Sequence, residues 1–227
     1  MSNELIDVMD HSGELLDYFE IMDDNIFNKK TESSKKKTIK YLEHLYSFKK
    51  NNSKFLCLED YWNKIEDYEK PLLAFLFASS VDYLIEESID FVKSVKIESK
   101  ANIELFESNI EHHHPNRFTS KTLRSVSQNV ASSWKQAGYI LGKVKNIRKL
   151  NPPGHCIASF AFLIAYLDGL RGDYLFNHPT VRALDASREE TLSLLKAASD
   201  RELLSYNRSG ASIVISFDGY LKNLSNV

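Results

Sequence analysis

Residues 119–154 read TSKTLRSVSQNVASSWKQAGYILGKVKNIRKLNPPG. Two patterns follow each other here. With Leu123 placed at zero on a helical wheel of about 100° per residue, Val126, Val130, Trp134 and Ala137 fall within about 60° of it. Lys121, Arg124, Gln128, Ser132 and Lys135 fall about 100–180° away by the same rule. One face is a core stripe, and the other presents three cations, an amide and a hydroxyl with no acid. Exposed helices usually mix signs for i,i+4 pairing, and this one does not. Thr119 or Ser120 can cap the start, and Gly138 can end the helix.

In the second pattern Ile140, Val144 and Ile147 alternate with Lys143, Lys145, Arg148 and Lys149. That alternation predicts a basic hairpin or extended arm, closed by Pro152-Pro153-Gly154. A helix followed by a basic β-element is a winged-helix layout.

Working outward, charge is divided unevenly. Residues 1–110 hold 14 Lys, no Arg and 22 acids, a net of −8. Residues 111–182 hold 10 Lys and Arg against 3 acids, a net of +7, and residues 183–227 carry a net of −1. Every arginine lies at or after Arg117. Arginine's rigid fork of donors suits phosphate and base edges, so the central segment fits a polyanion. The competing reading is that the acidic and basic parts simply face each other.

The rest of the chain predicts helices. A short amphipathic helix is expected over 13–22 and a longer one over 31–50, capped by Thr31 or Ser34, with Ile39, Leu42, Leu45 and Tyr46 as its apolar stripe. Lys35, Lys36, Lys37 and Lys40 stand near its start, where their charge opposes the helix dipole. Two such helices, the second led by basic residues, have the layout of a helix-turn-helix. Residues 51–57 are expected as a polar turn. Pro71 opens an apolar helix expected through Val92. His112-His113-His114-Pro115-Asn116 is expected as a loop. Residues 157–170 form a buried helix, Ser187 and Glu190 form a capping box, and two strand-like runs flank Asn207-Arg208-Ser209-Gly210. The expected fold is mainly α with small β-hairpins: helix-turn-helix or winged-helix-like N- and C-terminal parts around a helical core. The expected division is an acidic helical domain over 1–110 and a basic winged-helix-like domain over 111–227.

Function classes narrow in the same way. Apolar content of 43% and charged content of 26% match a soluble globular protein. The longest apolar run, Cys156 to Leu167, is shorter than the about 20 residues a membrane span needs. The start carries no signal-peptide order, and Cys57 and Cys156 have no paired spacing, so a reduced cytoplasmic compartment and no membrane are expected. Consecutive histidines lack the spacing of helical metal ligands, and no HExxH, phosphate loop or GxSxG elbow occurs. Nothing supports a pair of Cys156 with His155. Arg171-Gly172-Asp173 reads as a turn with Gly172 at positive φ. These patterns leave an enzyme possible but unsupported, and no cofactor or metal is expected.

Several stretches together carry a resemblance. They are DDNIFNKKTESSKKKTIKYLEHLYSF at 23–48, PLLAFLFASSVDYLIEESIDFV at 71–92, FTSKTLRSVSQNVASSWKQAGYI at 118–140, AYLDGLRGDYLFNHPTVRAL at 165–184 and LLKAASDRELLSYNRSGASIVISF at 194–217. In order and spacing, over roughly residues 12–220, the chain resembles the BrxA family, small accessory proteins of bacteriophage exclusion (BREX) defence systems. Lysines stand at 35–40 where the family pattern has arginines. The resemblance implies a mostly helical protein that binds double-stranded DNA without strong sequence choice, catalyses no reaction and works beside other BREX proteins. An older description of the family as NusB-like antitermination factors points to RNA instead. A scaffold docking an acidic partner protein is the third reading. In the DNA reading, the α-helical residues Lys121, Arg124, Gln128, Ser132 and Lys135 line the groove or backbone. Lys143, Lys145, Arg148 and Lys149 clamp phosphates as a wing, and Lys35, Lys36, Lys37 and Lys40 form a second, weaker contact.

Overall fold

Helix starts in the N-terminal part follow the capping chemistry of short polar side chains. The computed structural model describes residues 2–11, 18–24, 26–48, 52–142, 145–210 and 212–224. α1 (Ser2–His11) precedes α2 (Tyr18–Asp23) and α3 (Glu32–Tyr46). Of the helix expected over 13–22, residues 18–22 are helical, within α2, and residues 13–17 lie outside the described residues. The Thr31 hydroxyl caps α3 by accepting from the Ser34 amide at 3.2 Å. The connection from Asp24 to Thr31 is longer than the three or four residues that join a helix-turn-helix pair.

The turn expected over 51–57 shrinks to its first residues. The Asn52 side chain accepts from the amides of Lys54 at 3.1 Å and Phe55 at 3.4 Å and so starts α4 (Ser53–Trp62). The single apolar helix expected from Pro71 is two helices, α5 (Lys70–Ser79) and α6 (Tyr83–Ser94). Local side chains cause the break. The Ser80 hydroxyl bonds the Phe77 carbonyl at 2.7 Å, and the Asp82 carboxylate accepts from the Leu84 amide at 2.9 Å. Short polar side chains offer the backbone these alternatives to an unbroken ladder.

After α6 comes α7 (Ile103–His113), so the boundary expected after residue 110 falls inside a helix. His112 and His113 close that helix instead of forming a loop; histidines in a last turn suit the dipole there. α8 (Ser120–Gln136) follows, started by Thr119. It ends where Gly138 takes φ +91°, the Tyr139 amide bonds the Trp134 carbonyl and the Gly138 amide bonds the Lys135 carbonyl. That pair of bonds is the Schellman pattern, which favours glycine at this position. Trp134 is fully buried: its ring lies 4.6 Å from that of Phe75, and its indole N–H donates to the Ser88 hydroxyl at 2.8 Å. One side chain thereby ties α8 to both α5 and α6.

β1 (Ile140–Leu141) and β2 (Ile147–Arg148) form the first antiparallel hairpin. Ile147 also bridges Lys100, and backbone bonds join Arg148 to Glu98 and Ser99. The order from α6 to β2 is helix, a single β-bridge at Lys100, helix, helix, hairpin.

α9 (His155–Leu167) is buried from Ile157 to Tyr166, as a helix apolar on every side must be. α4 and α5 pack on it, and the Tyr61 hydroxyl meets the Ser159 hydroxyl at 2.7 Å. A 3-10 turn (Gly172–Asn177), α10 (Pro179–Arg182), α11 (Arg188–Ser199) and the hairpin of β3 (Ser205–Ser209) and β4 (Ser212–Ser216) repeat the helix, helix, hairpin order. Gly172 sits at φ +56° as expected. The capping box of Ser187 and Glu190 forms, and the expected hairpin turn lies later, because Asn207, Arg208 and Ser209 are strand residues. α12 (Asp218–Leu224) folds back so that the Tyr220 hydroxyl bonds Asp60 of α4. One hydrophobic cluster draws on residues from Leu5 to Tyr220, across the expected domain boundary. Among the described residues, no helix is long and apolar enough to cross a membrane.

Candidate nucleic-acid interface

α8 carries the strongest candidate face. Its first turn has no acid, and the Thr119 hydroxyl accepts from the Thr122 amide at 3.3 Å. Lys121, Arg124 and Gln128 are exposed, and Ser132 and Lys135 are half-buried. The structure therefore brings these five together along one helix. Lys121 and Lys135 have no carboxylate partner among the described residues. The Ser132 hydroxyl accepts from Gln136 at 3.3 Å, and the Gln136 carbonyl oxygen takes the Ser2 amide at 2.9 Å, which docks the start of α1 beside the end of α8.

Arg124 is different. Its guanidinium lies 3.0 Å from Glu104 and 3.1 Å from Glu107, both on α7. A wheel drawn for one helix has no access to these acids, because they arrive from the neighbouring helix.

The expected wing is corrected in part. Lys145 is exposed, and Lys143 lies outside the described residues. Lys149 is half-buried and pairs with Glu98 at 2.6 Å. Arg148 turns inward: its side chain is 1% exposed and it pairs with Asp185 at 2.6 Å. It also donates to the carbonyls of Val92, at 3.3 Å, and Tyr139, at 3.4 Å, and to that of Lys149. An enclosed guanidinium with these partners has no access to a phosphate. The alternation of Ile147 with Arg148 does not by itself decide which side chain turns inward. The 98–101 segment covers β2, and Asp185 supplies a buried counter-charge.

The lysines of α3 form a separate group. Lys36, Lys37 and Lys40 are exposed, Lys35 is half-buried, and Tyr41 beside them is 60% exposed. Glu32, Ser33, Lys36, Lys37 and Lys40 line a shallow depression of about 440 Å³. α1 packs against both α3 and α8.

Arg117, the first arginine of the chain, stands outside the patterns of α8 and the hairpin. It is exposed just ahead of α8, with its guanidinium 5.6 Å from the Tyr83 ring and 5.4 Å from the Phe118 ring. His114 braces the same loop, its Nε2 2.8 Å from Glu87.

Cys156 Sγ lies 3.5 Å from His155 Nε2, a contact the sequence reading did not expect. Burial, with Glu69 nearby, pushes that thiol up, and burial, with Arg201 nearby, pushes His155 down, which disfavours a thiolate–imidazolium pair. Burial pushes the Cys57 thiol up to about 12. Among the described residues, no group of His, Cys, Asp or Glu could hold a metal ion.

Comparison of the chain with family models, with curated proteins and with solved structures returned no match.

Proposed function

We propose that this protein is a non-enzymatic, double-stranded-DNA-binding component of a bacteriophage-defence system of the BREX type. The observation that carries the DNA part is α8: the second helix in a helix, helix, hairpin order, with Lys121 and Gln128 exposed along one side and Lys135 half-buried beside them. Such a helix fits a major groove, and its lysines fit the backbone on either side. Lys145 at the hairpin and Arg117 ahead of α8 extend the cationic surface. The lysines of α3 supply a second, weaker contact. Placement in a BREX system, with other BREX proteins as partners in the cytoplasm, rests on the sequence resemblance alone.

Phosphate contacts dominate affinity for any nucleic acid, so the discriminating measurement is preference. A recognition helix cannot read the deep, narrow major groove of A-form RNA. The reading predicts that a DNA duplex outcompetes an RNA duplex in fluorescence anisotropy at matched salt. Equal or better binding by RNA supports the antitermination reading, and no binding to either at low salt supports a protein-docking role for the basic face.

A further inference from the structure

Arg124 is the only arginine of α8, and it is already occupied. Glu104 and Glu107 stand three residues apart on α7, a spacing that puts both on one helix face. Each places a carboxylate oxygen on the same guanidinium nitrogen of Arg124, at 3.0 and 3.1 Å. A carboxylate and a phosphate present the same feature to an arginine, a planar or near-planar pair of anionic oxygens that accept charge-assisted hydrogen bonds. The contact is open to water, with side-chain exposures of 47% for Arg124, 60% for Glu104 and 24% for Glu107. Exposed pairs of this kind contribute little to stability and exchange partners readily. Glu104 is held below the ordinary carboxylate range by its own backbone amide and by Arg124.

We propose that Glu104 and Glu107 act as an internal substitute for phosphate: they hold Arg124 in the free protein, and bound nucleic acid must displace them. This rests on the reading of α8 as the polyanion-binding face. The two glutamates then weaken binding to every sequence alike, and they keep the salt dependence shallower than the cation count of α8 implies. Lys121 and Lys135 make the first contact with nucleic acid, and Arg124 joins only after exchange.

The test is a double-mutant cycle read by duplex-DNA anisotropy across a salt series. It compares the wild-type chain, the Glu104→Gln/Glu107→Gln pair, Arg124→Ala and the three substitutions combined, with Lys121→Glu/Lys135→Glu as the reference for the face itself. Freeing one arginine should steepen the slope of log affinity against log salt by about 1 and tighten binding on the order of fivefold to tenfold near 100 mM salt. Arg124→Ala alone should change affinity little, and it should erase the gain made by the glutamine pair. A gain of equal size in the Arg124→Ala background would mean that the glutamates act only through bulk charge, which overturns the proposal. So would an unchanged affinity in the glutamine pair. If wild-type binding is absent, or is indifferent to Lys121→Glu/Lys135→Glu, the reading of α8 itself has failed, and the proposal falls with it. Lys121, Arg124 and Glu104 are exposed and Glu107 and Lys135 are half-buried, and matching thermal melts would show that each variant is folded.

Discussion

Arg148 and Asp185 form a buried ion pair at 2.6 Å that joins the first hairpin to the connection between α10 and α11. The side chains are 1% and 7% exposed. The second Asp185 oxygen accepts from the Asn151 amide at 2.9 Å, and the Tyr139 hydroxyl bonds the Ala183 carbonyl at 2.7 Å beside it. Lys93 of α6 reaches the same place and donates to the carbonyls of Arg182 and Leu184 at 2.9 and 2.6 Å. The two helix, helix, hairpin arrangements thus share a closed polar joint.

Removing one partner of such a pair leaves the other charge buried without a counter-charge, at a cost of about 3–5 kcal/mol. Asp185→Ala should lower unfolding stability by that amount, measured by urea denaturation. Arg148→Met combined with Asp185→Leu should recover much of it, because a packed apolar pair can replace a buried ionic one. A loss under about 1 kcal/mol, typical of an exposed pair, would show that the joint is solvated.

Gly138 ends α8 at φ +91°, and a Cβ there would stand 3.3 Å from Asn151 Nδ2. That amide is already committed to the Ala137 carbonyl at 2.7 Å. An L side chain in the left-handed region costs about 1–2 kcal/mol. Gly138→Ala should therefore destabilise by that amount or slightly more in a thermal or chemical melt. A neutral result would mean that the helix end relaxes into another conformation.

Asp168 sits between His178 Nε2 at 3.0 Å and Lys54 Nζ at 2.5 Å. Burial alone would raise its carboxyl. The hydrogen bonds from His178 and Lys54 outweigh burial and hold it below its ordinary value of 3.8. A carboxyl depressed by folding contributes stability that is complete above the unfolded value and is lost as pH falls through the folded value. Asp168→Asn should be less stable than the parent at pH 7, and the gap should narrow as pH drops below about 4. Urea midpoints at several pH values check this. Parallel curves for the two proteins would contradict it.

Local features of the fold were legible before the structure. Apolar periodicity marked α8, a continuous apolar run marked α9, Thr31 and Thr119 marked helix starts, and Ser187 with Glu190 marked a capping box. All of these depend on residues within a turn or two of each other. Asp82 also carried a readable cap signal, but the apolar run across 71–92 masked it. The candidate site was less legible because its meaning depends on distant residues. Arg148 looks like a wing cation until Asp185, 37 residues away, takes it inward. Arg124 looks unpaired until α7 delivers Glu104 and Glu107. Charge on a helical wheel is a property of one element, whereas its availability to a ligand is a property of the packed neighbours.

The central claim is that α8 is a polyanion-binding face, and the most direct measurement is duplex-DNA anisotropy of wild-type and Lys121→Glu/Lys135→Glu proteins from low to high salt. The account predicts wild-type binding that weakens steeply with salt, with the charge reversals weakening it across unrelated sequences and flattening the slope by about 2, one per lost phosphate contact. Wild-type and reversed proteins with the same affinity and the same slope would contradict it and place any nucleic-acid contact away from α8.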